Sequence, residues 1–386
     1  MDLLHLHKFV DWHYIIYMKK PRELSTFEQK LNDWLARFSR IPFVQKIFFV
    51  DHLRTMIHAS LSLVEALGIL AKEVEHRKFR RIIGEIQTGV EKGQPLSEVL
   101  AKYPKVFPPT YVKMVAAGEV AGKLEESLEQ IVIQMNKTLS LNSSIRSAMI
   151  YPAVVVSAMA GVGILMTTVI LPKLIEIFNE FDSELPLATR VLIAITNFVS
   201  NPIYFILLIA GLSGLIVLFI ISLRKQPSFR RAVHRLNLLL PIFGRVIKQI
   251  NLARFSLSLS SLLKSTIPII DAIDITADTC SNRLYQDSLH AAAKTIKGGT
   301  SLSEILRGYP QLFPPMVTEM IMVGERSGEV DRLLSELSDF YGREVDKTMK
   351  NFTTIIEPVL ILTLGLAVAG VAVAVIMPMY TLVQNF

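Results

Sequence analysis

The hydrophobic pattern of the chain comes in two kinds. In the first, apolar residues run without a charge from Ser147 through Pro172, between Arg190 and Arg224, and from Pro358 to the C-terminus. About 20 apolar residues suffice to cross the hydrocarbon core of a bilayer. A charge at mid-bilayer costs about 3 kcal/mol on insertion scales. Each window is therefore expected to be a transmembrane helix, the second starting near Ile203, just after Asn201-Pro202. In the second kind, apolar residues recur every three or four positions, as on one face of a helix. Phe49, Leu53, Met56, Ile57, Leu61, Val64, Leu67 and Leu70 predict one amphipathic helix. Phe255, Leu259, Leu262, Leu263, Ile267, Ile270 and Ile273 predict its counterpart, which Pro268 breaks in two. Another helix is expected from about Arg77 to Lys92. No convincing run has the alternation of a strand. The fold class is all-α, an integral membrane protein with two tandem cytoplasmic helical bundles and three transmembrane helices.

The bundles are predicted to be tandem because one stretch occurs twice. Residues 93–122 read GQPLSEVLAKYPKVFPPTYVKMVAAGEVAG and residues 299–328 read GTSLSEILRGYPQLFPPMVTEMIMVGERSG, at a constant offset of 206 and with 14 of 30 positions identical. A repeat of this length is one structural module used twice. Its residues read as helix punctuation. Gly93 ends a helix. Ser301 and Glu304 have the spacing of a capping box, where the first copy has Pro95. Tyr103-Pro104 and Tyr309-Pro310 stop the next helix, because the residue before proline is pushed out of the α region. Phe107 and Phe313 are expected to plug the core, and Pro109 and Pro315 to open another helix. Gly118-Glu119 and Gly324-Glu325 lead to Gly122 and Gly328, which can take positive φ. The last helix of each module is expected to end near Arg146 or Thr354, before prolines at Pro152 and Pro358 open the spans.

Charge orients these elements. Net charge is +7, but nine basic residues (Arg224, Lys225, Arg230, Arg231, Arg235, Arg245, Lys248, Arg254, Lys264) fall within residues 224–270 with no acidic residue among them. A positive flank beside a membrane span explains that run better than nucleic-acid binding does, and no nucleic-acid partner is implied. The loop after the first span carries Glu176, Glu180, Asp182 and Glu184 against Lys173 and Arg190. Lys and Arg stay in the cytoplasm, so the N-terminus and both modules are expected inside and the C-terminus outside. The first 20 residues mix His5, His7, Lys8, Asp11 and His13 into any apolar stretch, so no signal peptide is expected. The one cysteine, Cys280, excludes an internal disulfide and suits a reducing compartment.

Candidate chemistry is sparse. Gly122-Lys123-Leu124 nearly completes a phosphate-binding loop, but Leu124 has no hydroxyl for Mg²⁺, a helix and not a strand precedes it, and the second copy has Glu329 for the lysine. Glu119 and Glu325 have no His or carboxylate at catalytic spacing, so capping a helix end is the stronger reading. A cation site on Glu119, Glu125 or Glu126 has no ligand-loop pattern behind it, and His5, His7 and His13 lack metal-ligand spacing. Cys280 reads as a small buried residue. No catalytic, cofactor or metal site is assigned. The charge-free windows disfavour a small membrane transporter, which usually places a charge inside a span, and a membrane-bound enzyme lacks a constellation. Ser157, Ala160, Gly161 and Gly163 in the first span, with Gly365, Ala369 and Gly370 in the third, are small-residue surfaces for helix association.

Two modules carrying G-x-x-L-S-E-x-L, YP-x-x-F-P-P and G-E-x-x-G, each followed by a span, resemble the inner-membrane platform proteins of type II secretion and type IV pilus assembly. The Tyr151-Pro152 and Glu357-Pro358 openings and the exits at Pro172 and Pro378 are similar too. The resemblance covers about residue 45 to the C-terminus. It implies a non-enzymatic hub in the lipid bilayer, expected to be a homo-oligomer, that contacts a hexameric assembly ATPase, pilin or pseudopilin subunits and other inner-membrane assembly components. The apolar windows, charges and repeat divide the chain into an N-terminal arm (1–42), a first bundle (43–147), spans at 148–172 and 191–223, an extracytoplasmic loop (173–190), a second bundle (224–354), and a third span with the extracytoplasmic C-terminus (355–386).

Overall fold

A computed structural model of the chain describes residues 40–170, 201–240 and 243–384, together with Pro172, Arg190, Ala194, Thr196 and Phe198. The expected arm up to residue 39, most of the loop at 173–190 and the start of the second window lie outside these residues. The chain divides into two compact units, Met1–Gln94 and Pro95–Phe386. Among the described residues all regular structure is helical.

The first unit contains α1 (Phe43–His58), α2 (Leu63–Glu73) and α3 (Arg77–Glu91). Phe49 and Phe79 meet edge to face at 5.4 Å, within a core that also buries Leu53, Leu67, Leu70, Ile83 and Ile86. The single helix expected from Phe49 to Leu70 is two helices. Ser60 turns the chain at φ +65, and the Ser62 side chain accepts the N–H of Glu65 to start α2. This cap supplies one of the bonds that a helix start lacks, so no proline is needed for the break.

The second unit continues with α4 (Leu96–Ala101), α5 (Pro109–Ala121) and α6 (Leu124–Leu165), which ends in a π turn at Met166–Ile170. Next come α7 (Pro202–Lys225), α8 (Pro227–Leu239), α9 (Phe243–Lys264), α10 (Ile269–Thr279), α11 (Arg283–Ile296), α12 (Leu302–Arg307), α13 (Pro315–Ser327) and α14 (Val330–Gln384). The Asn201 side chain caps α7 through the N–H of Ile203 at 3.0 Å, one residue before the expected start. Shifted by 206 residues, α2, α4 and α5 fall on α10, α12 and α13 at both ends. The positive-φ positions pair at the same offset: Ser60 with Thr266, Gly93 with Gly299, and Gly122 with Gly328.

In the second copy Phe313 is 1% exposed and lies edge to face with Phe255 and Tyr285 at 5.4 and 5.3 Å. The Tyr285 hydroxyl donates to the Leu312 carbonyl at 2.7 Å, satisfying it within the core. Phe107 is buried likewise, so both phenylalanines occupy the interior as expected. The central helix is α9, buried along most of its length and packed against α6, α10 and α14. Its short serines permit that closeness, and the Ser260 hydroxyl donates to the Asp331 carbonyl at 2.7 Å.

The bundle helices do not stop where the spans begin. α6 runs through Pro152 and α14 runs through Glu357 and Pro358 without interruption. The expected breaks near Arg146 and Thr354 are absent. A proline inside a helix removes one backbone bond, but in a membrane-crossing segment neighbouring groups make good the loss. Three helices are long and apolar enough to cross a membrane, with windows within Leu124–Val169, Ile206–Lys225 and Val330–Gly370.

Among the contacts that hold helix α8 to the second copy, one histidine titrates. The backbone N–H of Arg283 donates to Nδ1 of His234 at 2.8 Å, and Asn282 donates to the His234 carbonyl at 3.2 Å. Burial first, and the charge of Arg230 second, lower the pKa of His234 below its ordinary 6.5. Nδ1 accepts only while it lacks a proton, so this contact is complete above about pH 6.5 and is lost as pH falls through the lower folded value. Hydrogen exchange, corrected for intrinsic rates, is expected to show α8 and residues 282–284 opening more readily at pH 5.5 than at pH 7.5. His234→Gln, which does not titrate, is expected to flatten that difference. An identical difference in His234→Gln would assign it to another group.

Candidate functional site

Each G-E turn closes its module through a carboxylate. Glu119 reaches from α5 to the first turn of α4, where its Oε1 accepts the N–H of Leu96 at 2.5 Å and its Oε2 that of Ser97 at 3.0 Å. Glu325 does the same from α13 to α12, accepting from Leu302 at 2.6 Å and from Ser303 at 3.3 Å, with the Ser303 hydroxyl adding a bond at 2.5 Å. A helix start has unpaired N–H donors and a positive dipole end, and a carboxylate satisfies both. Pro95 provides no side-chain cap, so α4 depends on Glu119. Ser301 does cap α12, accepting the N–H of Glu304 at 3.3 Å. Pro95 thus occupies the cap position and not the first helical turn.

The glycines make the turn fit. Gly122 and Gly328 end α5 and α13 in the left-handed region, at φ +67 and +77. The following N–H groups, of Lys123 and Glu329, return to the carbonyls of Gly118 and Gly324 at 2.7 and 3.0 Å. A Cβ on Gly324 would stand 2.9 Å from the Cα of Val330, and one on Gly118 would collide with the side chain of Ser127. Lys123 therefore lies in a helix-to-helix turn and not in a phosphate loop.

Tyr103 and Tyr309 are half-buried at the turns after α4 and α12, and Pro104 and Pro310 are exposed beside them. Pro152 is buried inside α6, while Glu357 and Pro358 lie exposed on α14. Pro172 is half-buried; Pro378 falls within α14, its side chain outside the described residues. Glu125 and Glu126 occupy the first turn of α6. His5, His7 and His13 lie outside the described residues. Burial pushes the Cys280 thiol up to about 12, which keeps it protonated and inert. Among the described residues no group of three His, Cys, Asp or Glu could hold a metal ion.

What local sequence spacing did not reveal is the seam between the copies. Buried Gln134 of α6 donates to the Ser258 hydroxyl of α9 at 3.1 Å. Lys137 of α6 pairs with Asp339 of α14 at 2.5 Å. Arg254 of α9 donates to Asn142 of α6 at 3.2 Å and also to Ser281. A cavity of about 490 Å³ lies along this seam, lined by Tyr111, Thr138, Arg254 and Asp278 among others. The Gln134–Ser258, Lys137–Asp339 and Arg254–Asn142 pairs each join residues more than a hundred positions apart. Only the burial of unusually polar α9 positions, four of them serines, signals a covered face.

The family model for type II secretion system (T2SS) protein F matches twice, at residues 49–172 and 255–378. The chain belongs to the type II secretion system protein F family. The two matched blocks of this family are again 206 residues apart and close on Pro172 and Pro378. The chain is 38% identical over 338 residues to the type IV pilus assembly protein PilC of Thermus thermophilus, covering 87% of this chain and 82% of that protein. It is 34% identical over 336 residues to PilC of Myxococcus xanthus (87% and 80%). It is 31% identical over 335 residues to the type II secretion system protein F of Pseudomonas aeruginosa (86% and 81%). The chain is thus a membrane protein related to pilus and secretion assembly components.

Removing the Glu325 carboxylate as Glu325→Ala strands the amides of Leu302 and Ser303. A bond to a charged group is worth about 1.5–3 kcal/mol, so those amides are expected to exchange about tenfold faster or more. Gly324→Ala is expected to lower the unfolding free energy by about 1–3 kcal/mol through overpacking. Unchanged exchange in the first variant would remove the clamp from the fold's essential contacts.

Proposed function

We propose that the chain is a non-enzymatic platform of the bacterial inner membrane. It couples a hexameric cytoplasmic assembly ATPase to the insertion of pilin or pseudopilin subunits into a type IV pilus or a secretion pseudopilus. The two modules, at about 43–147 and 224–354, lie in the cytoplasm and take up motion from the ATPase, and the spans pass it to the subunits. The N-terminus is cytoplasmic and the C-terminus extracytoplasmic, with nine cations at 224–270 on the inner side. The observation that carries this reading is that α6 and α14 are each both bundle helix and membrane span. A displacement of the bundle is then a displacement of the span. The names of the related PilC and protein F chains support the assembly role.

The Glu119 and Glu325 carboxylates are engaged within their modules, so a partner meets the exposed residues next to them. Val120 is 91% exposed and its counterpart at the 206 offset, Arg326, is exposed too. With Cys280→Ser as background, Val120→Cys and Arg326→Cys are expected to resist an impermeant maleimide in intact bacterial cells and to react after permeabilisation. Photo-crosslinkers at the same two positions are expected to capture the ATPase. Labelling of either cysteine from outside would overturn the topology, and the absence of an adduct at both positions would overturn the docking face.

A further inference from the structure

Helix α7 ends at Lys225 and α8 begins at Pro227, so a single residue, Gln226, separates a span from a helix of a different kind. α8 therefore starts where α7 leaves the bilayer. One of its faces is fixed to the second copy by His234 and by Arg231, which pairs with Asp287 at 2.7 Å. Beside that face α8 exposes Leu236 and Leu239, 61% and 73% exposed, together with Arg235, one turn on from Arg231. Apolar and basic side chains on one exposed face, at the end of a span, suit the boundary between headgroups and acyl chains.

The charges here are unmatched. Arg224, Lys225, Arg230, Arg235, Arg245 and Lys248 have no carboxylate partner among the described residues, and residues 224–270 contain no acid. Two of these cations, Arg235 and Lys248, line a cavity of about 460 Å³ with Tyr309, Leu238, Leu239 and Leu284. Tyr309 comes from the repeated Tyr-Pro motif, so the duplicated punctuation of the second copy forms a wall of this cavity. Two cations and a phenol suit a phosphate, and the leucines suit the glycerol and first methylenes behind it.

We propose that this cavity seats the headgroup of an anionic phospholipid from the leaflet where α7 emerges, with α8 lying in the interface above it. The bound lipid neutralises Arg235 and Lys248 and ties the second copy to the membrane surface independently of α14. A soluble partner on this face would leave the leucines in water until it arrived, whereas the membrane is already present at the end of α7.

The full chain, in nanodiscs of phosphatidylcholine with or without phosphatidylglycerol, provides the test. A spin label at Leu239→Cys, on the Cys280→Ser background, is expected to gain oxygen accessibility and lose nickel-chelate accessibility, as a label at membrane depth does. Native mass spectrometry is expected to show retention of phosphatidylglycerol over phosphatidylcholine, falling about fivefold or more in Arg235→Gln/Lys248→Gln. Lys264→Gln, which removes a charge from the same basic run away from the cavity, is expected to leave retention unchanged. A label exposed to water in both nanodiscs, equal retention of the two lipids, or an equal loss in Lys264→Gln would overturn the proposal. So would displacement of the lipid by millimolar inorganic phosphate, which would make this a soluble-anion site.

Discussion

The constraint on which the rest of the structure depends is the continuity of α6 and α14 from bundle core to bilayer. At about 1.5 Å per residue, the 42 residues of α6 span about 63 Å and the 55 residues of α14 about 82 Å. Their first turns are packed and hydrogen-bonded within the modules and their distal halves are apolar. No loop stands between the two regions to absorb a displacement. The two helices pack together and are joined by Lys137 and Asp339. Farther along they border a groove of about 640 Å³ between Ser143, Ser147 and Ala148 on one side and Met349, Lys350 and Thr353 on the other. On the α6 side its lining is made of small residues, Ser143, Ser144, Ser147 and Ala148.

In each module the short helix and the turn just before these helices serve to aim them. The left-handed glycine at the end of α5 or α13 reverses the chain, and the glycine four residues earlier lets the next helix start almost in contact. The glutamate between them holds the short LSE helix. These are backbone requirements, which is why the two copies share them while their surfaces diverge. The second copy covers its α9 with α6 and α14, and serine replaces larger polar residues there: Ser258, Ser260 and Ser261 stand at the offsets of His52, Arg54 and Thr55. Duplication of the fold was followed by different uses of the same face.

Much of this was legible because punctuation residues act locally. Gly93, Gly122, Pro109 and the Tyr-Pro stops each dictate the backbone around them, and charge-free windows report a membrane without any knowledge of packing. Two expectations failed for physical reasons. The apolar spacing from Phe49 to Leu70 continues across the Ser60 turn, so periodicity alone reports one helix. The signal that was present is Ser62 followed by Glu65, a capping-box spacing inside the apparent helix. Pro152 and Pro358 would end a helix in water, but each opens a charge-free apolar run, and a helix keeps its backbone bonds in an apolar medium. The clamps of Glu119 and Glu325 and the seam through Gln134 and Arg254 join residues 22 to 124 positions apart. Local spacing does not encode such pairs.

Continuity of the span with the bundle can be measured directly as a distance within α14. Spin labels at Arg332→Cys and Leu366→Cys, on the Cys280→Ser background, are separated by 34 residues, or about 51 Å along an unbroken helix. In nanodiscs, double electron–electron resonance is expected to give a single narrow distribution near that value. A broad or markedly shorter distribution, indicating a hinge at Pro358, would contradict the transmission of motion from module to membrane by one rigid helix.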